Sequence, residues 1–98
     1  MKKITFEEFV SMVYDNEDDF ALSFNSCGPD DDIYGRWYGV QRIETAMDFD
    51  ILVFGEWGTC APEPCHAIIR WEATREQVRE WLNAVLDLHD IDEIWMED

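Results

Sequence analysis

Positive charge is what this chain has least of. Seven Lys and Arg stand against 23 Asp and Glu in 98 residues, a formal net charge of −16 at pH 7. Phosphate contacts come from Lys and Arg and draw their free energy from released counterions. Direct binding to nucleic acid is therefore excluded as a main role, because Arg36, Arg42, Arg70, Arg75 and Arg79 are too few and too diluted. Long apolar runs are missing too, and nothing approaches the ~20 residues that span a bilayer. The basic start Met1-Lys2-Lys3-Ile4 runs into Thr5-Phe6-Glu7-Glu8, not into the apolar core of a secretory signal. Cysteine is scarce and odd in number, with Cys27, Cys60 and Cys65, which argues against a disulfide framework. The expectation is a cytoplasmic protein with reduced thiols and no membrane association.

Apolar and aromatic residues are not lacking. They make up 47% and 14% of the chain, which separates it from disordered acidic sequences. Residues 1–98 are read as a single domain with enough material for a core.

The most apolar short run is Asp48 to Trp57. At period two, Phe49, Ile51, Val53 and Trp57 share one face, and Leu52 and Phe54 lie on the other among Asp48, Asp50 and Glu56. Such a strand belongs in the middle of a sheet. Before it, Thr5-x-x-Glu8 is a capping box, followed by Phe6, Phe9, Val10 and Val13 as one helical stripe ending near Asp15. Phe20 to Ser26 alternates as a half-buried strand, and Arg36 to Glu44 is a second, with a possible bulge at Gly39.

Gly58 to Cys65, carrying Pro62 and Pro64, is expected to be irregular, and His66 to Glu72 a strand with Ala67, Ile69 and Trp71 inward. Thr74-x-x-Gln77 opens a second helix with Val78, Trp81, Leu82, Val85 and Leu88 as its stripe, leaving Asp90 to Asp98 as an acidic tail or edge strand. The expected class is α+β: a two-layer, four-stranded antiparallel sheet with the N-terminal and C-terminal helices on one face, in the order α-β-β-β-β-α plus tail.

Sites for chemistry are few. Cys60-x4-Cys65-His66, with Cys27 from another loop, has the composition of a Cys3His zinc site, but the spacing with two prolines favours free thiols, so no metal or cofactor is expected. Cys65 beside His66 suggests a thiol–imidazole pair, yet neighbours on a regular strand point to opposite faces. Asp30-x-Asp32-x-Tyr34-Gly35 begins like a calcium loop but has Gln41 where a bidentate Glu is needed. No phosphate loop or nucleophile elbow is present, and the chain is read as a non-enzyme.

The functional signal is acidity. Glu17, Asp18 and Asp19, then Asp30, Asp31 and Asp32, then Asp90, Asp92 and Glu93 form three carboxylate clusters, with Trp37, Tyr38 and Phe54 as aromatic anchors on a sheet face. Charge of this kind steers a basic partner. The leading expectation is an inhibitor of a basic nucleic-acid-handling protein, of the anti-CRISPR or anti-restriction type, acting by charge mimicry and occlusion. The alternatives are an immunity protein or antitoxin against a basic nuclease, and a structural protein forming homodimers through the face that bears Phe54.

Overall fold

The structure is a computed structural model and describes residues 1–16, 20–28, 37–45, 49–58 and 62–97. Its elements are β1 (Lys2–Ile4), α1 (Phe6–Tyr14), β2 (Phe20–Asn25), β3 (Trp37–Glu44), β4 (Asp50–Trp57), β5 (Pro62–Ile69), α2 (Arg75–Leu88) and β6 (Ile94–Met96). The α+β class holds, but the sheet has six strands in the order β1-β6-β2-β3-β4-β5, every pair antiparallel. The two strands beyond the expected four are the ends of the chain. Each is three residues long, too short for alternation to reveal it.

Both helices begin on reciprocal caps. Thr5 Oγ1 accepts the Glu8 N–H while Glu8 Oε1 accepts the Thr5 N–H, each at 3.1 Å. Thr74 and Gln77 repeat the exchange at 3.2 and 2.9 Å. Thr74→Ala removes one acceptor at an end where the first amides have no intrahelical partner. We expect a loss of about 1 kcal/mol, read as a melting point roughly 4–8 °C lower by circular dichroism.

The helices run antiparallel, because Arg75 of α2 bonds to Ser11 and Asp15 at the end of α1 while Arg79 bonds to Glu7 at its start. Their stripes, Phe9, Val10 and Val13 with Val78, Leu82, Val85 and Leu86, share one core with Phe24, Tyr38, Val40, Leu52 and Phe54 of the sheet. The register explains the sheet's share: Phe24 lies opposite Tyr38, and Val40 opposite Phe54.

The expected inward residues of β5 and α2 are therefore revised, and the choice between the two apolar faces of β4 is resolved. In β4 it is Leu52 and Phe54, both fully buried, that face the helices, and Ile51 and Val53 take the far side. In β5, His66 and Ile68 follow them, while Ile69 is 53% and Trp71 67% exposed. In α2, Leu86 replaces Leu88, which is 70% exposed. A strand apolar on both sides does not announce its inner face; its neighbours decide. Here the clean alternation of β2 commits Phe24 inward and carries Tyr38 and Phe54 with it.

The far face bears Trp37, Ile43, Ile51, Val53, Trp57 and Ile69. The ring of Trp57 lies over Gly39, where a Cβ would overlap it. No helix among the described residues is long and apolar enough to cross a membrane.

Candidate functional site

Strands β4 and β5 pair evenly from Ile51 opposite Ile69 to Phe54 opposite His66, and again from Gly55 opposite Pro64 to Trp57 opposite Pro62. Between the two runs the count slips by one, and Cys65 is left over. This is a β-bulge, which places two residues against one and re-aims their side chains. Gly55 permits it: a Cβ there would overlap the backbone carbonyl of Glu63. Pro62 and Pro64 lack amide donors and suit an outer strand with a broken ladder. The stretch expected to be irregular from 62 onward is thus the first half of β5.

The bulge overturns the argument that adjacent Cys65 and His66 must point apart. Cys65 Sγ, a ring nitrogen of His66 and a ring nitrogen of His89 all lie within 4.8 Å of one another. His66 Nε2 and His89 Nε2 are 3.1 Å apart, so one ring donates to the other. The Cys65 thiol donates to the Phe54 carbonyl at 3.5 Å.

His89 is brought there by the way α2 stops. It is the C-cap residue; Asp90 follows at φ 55, its N–H donating to the Asp87 carbonyl, and the Ile91 N–H donates to the Leu86 carbonyl at 2.9 Å. This double bond around a left-handed residue is the Schellman stop, here with Asp where Gly is usual. Ile91 and Leu86, at the two positions where such a stop usually carries apolar residues, are both buried.

The two imidazoles rest on the aromatic core. Ring centroids are 5.4 Å apart for Tyr38 and His89, 5.6 Å for Phe54 and His89, and 6.1 Å for Phe54 and His66. Cys65 is exposed and both histidines are half-buried. A thiol and two imidazoles at one spot are a donor set for a borderline-soft metal ion.

Charge is unevenly spread between the two ends of the sheet. Arg42 bonds to Asp50 and to the Asn16 carbonyl, Arg70 donates to the Tyr14 carbonyl and lies 4.1 Å over its ring, and Arg75 pairs with Asp15. These three cations gather at the C-terminal end of α1, and Arg79 is held by Glu7. The opposite end carries Glu56 directly across from Glu63, an unfavourable cross-strand pair, and also Asp90 and Asp92. Lys3 there is tied to Glu93 at 3.1 Å. That hydrogen bond, with one from Trp95, holds the Glu93 carboxyl below its usual range.

Of the expected partner residues, Asp90, Asp92 and Glu93 come together around one hollow with Ser26 and Cys27, which places Cys27 apart from the Cys65–His66–His89 group. Cys27 and Cys65 are both free thiols. Trp37 is half-buried on the far face. Tyr38 and Phe54 lie in the core, 4% and 0% exposed, and are not surface anchors. Glu17, Asp18, Asp19, Asp30, Asp31, Asp32 and Cys60 lie outside the described residues. Sequence reasoning missed the pairing of His66 with His89. Its one available signal was Gly55 set against Pro62-x-Pro64, a bulge signature that a strict two-residue alternation conceals. Comparison with protein-family models, curated proteins and solved structures finds no match to this chain.

Proposed function

We propose that this chain is a small acidic binding protein that engages a basic, nucleic-acid-handling protein and blocks its nucleic-acid site by charge. The observation that carries this reading is the disposition of the cations. Lys3, Arg42, Arg75 and Arg79 are each neutralised by a carboxylate of the chain itself, and Arg70 is folded onto Tyr14. Asp90 and Asp92 are left exposed beside Glu93. With five of the seven Lys and Arg occupied internally, against 23 Asp and Glu, the surface projects a predominantly negative field, which speeds encounter with a cationic cleft and repels anionic competitors. In this reading Asp30, Asp31 and Asp32, with Glu17, Asp18 and Asp19, stand where phosphates would lie, and Asp90 and Asp92 extend the footprint. A phage anti-defence protein and an immunity protein against a basic nuclease both satisfy this chemistry.

A second reading, self-association, is favoured by the far face, where Ile43, Ile51 and Ile69 stand in register across three strands. One experiment separates the two. Tagged protein is used to capture partners from bacterial lysate at low salt, and the bound material is eluted with rising salt or competing DNA. We expect a basic nucleic-acid-binding protein, released by either eluent and held several-fold less well by Asp30→Asn/Asp31→Asn/Asp32→Asn or by Asp90→Asn/Asp92→Asn. A partner indifferent to salt and to both sets of substitutions contradicts the charge reading. Recovery of the chain alone, as a salt-resistant dimer, moves the interface to the far face.

A further inference from the structure

We propose that Cys65, His66 and His89 form a zinc-type metal site with three protein ligands and a fourth position open toward solvent. The site does not depend on the charge reading above. Bonds of about 2.0–2.3 Å in a tetrahedral arrangement place ligand atoms roughly 3.3–3.8 Å apart. The two histidine nitrogens, at 3.1 Å, already span such an edge, and all three donor atoms lie within 4.8 Å of one another. Closure therefore asks for about 1 Å of side-chain movement toward tetrahedral spacing, and exposed Cys65 is free to supply it by rotation. A metal ion would take the place of the hydrogen-bonding proton between the two rings, the donor ring then carrying its N–H on Nδ1, and would release the Cys65 thiol proton to solvent.

The surroundings suit a cation in three ways. Phe54 and Tyr38 pack against the imidazoles and limit their freedom, and this apolar backing lowers the local dielectric on one side of the site. The backbone holds each ligand independently: Cys65 and His66 by a bulge that Gly55 makes possible, His89 by the stop of α2. The net charge of −16 lowers the free energy of a divalent ion near the surface. Sulfur with two nitrogens selects zinc or cobalt over magnesium and calcium, which prefer oxygen. Three protein ligands with one vacant position are the pattern of sites that bind an exchangeable group, such as water or an anionic side chain, whereas purely structural zinc sites close with four.

The test uses the full chain, Zn2+ and Co2+ as probes, and a chromogenic chelator as competitor. We expect one zinc per chain, retained in excess Mg2+, and a near-ultraviolet thiolate-to-cobalt band that survives Cys27→Ser and disappears in Cys65→Ser. Cys65→Ser and His89→Gln should each weaken zinc by at least about 10–100-fold, the loss known for outer-shell partners alone. Circular dichroism establishes whether His89→Gln still folds; if it does not, the exposed Cys65→Ser position decides. Zinc bound no more tightly than Mg2+, or with undiminished affinity in Cys65→Ser, overturns the site and assigns the binding to surface carboxylates.

Discussion

Gly55→Ala should lower stability by about 3 kcal/mol, the upper part of the usual range for forcing atoms into a packed site. The added methyl has nowhere to go, because it meets the carbonyl of Glu63 and not the end of a flexible side chain. Relief requires β5 to move off β4, and the register must then slip or the ladder part between Phe54 and Trp57. Either change turns Cys65 and His66 away from each other, so the variant should also lose the thiolate-to-cobalt band even where enough folded protein remains to measure it. Urea denaturation reads the first effect and cobalt spectroscopy the second. An unchanged unfolding midpoint would mean that the bulge relaxes freely and does not constrain the cysteine.

Phe54→Ala should cost about 3–5 kcal/mol, the range for truncating a buried aromatic. Its ring is fully buried and lies 6.1 Å from Phe24, 5.9 Å from Tyr38 and 5.6 Å from His89, centroid to centroid. Domains of this size hold about 5–15 kcal/mol in all. Alanine therefore leaves a weakened fold, and Phe54→Asp, which buries a carboxylate without a partner, should abolish it. Trp71→Ala, at a ring 67% exposed, is the control and should stay within about 0.5 kcal/mol of the parent. Guanidinium unfolding of the three variants gives the order. A folded Phe54→Asp would place that side chain on the surface and restore it as a partner contact.

These two residues also mark how far the sequence could be read. The helices were legible because each carries its own start signal, Thr5 with Glu8 and Thr74 with Gln77, and a stripe that no strand pattern imitates. Three strands and the second half of β5 were legible because β-branched and aromatic residues cluster in them, whereas Pro62 to Cys65 reads as irregular. The inner face of β4 was not, since Leu52 and Phe54 compete with Ile51 and Val53 at the same period and nearly the same hydrophobicity. The tie is broken only across the ladder, by Tyr38 and Val40, whose own inward choice follows from Phe24. The bulge was hidden for a related reason: it is a disagreement in count between two strands, and neither strand alone contains it. His89 could be seen at a helix end and His66 on a strand. That they meet is a matter of tertiary packing between β5 and the end of α2, where Asp90 takes the left-handed conformation that Gly adopts most readily and that Asn and Asp adopt more often than other residues.

Strand β6 lies between β1 and β2, so the first strand of the chain has nothing to pair with until residues 94–96 arrive. A polypeptide that leaves the ribosome N-terminus first must hold Lys2–Ile4 in reserve until residues 94–96 have been added, and β2 keeps an open edge for the same interval. Loop-closure entropy grows only logarithmically with length, so the delay costs time more than stability. An open edge is also an invitation to neighbouring chains. Mutual repulsion among nascent copies, each already strongly negative before its last strand is made, keeps those edges apart until the sheet is complete.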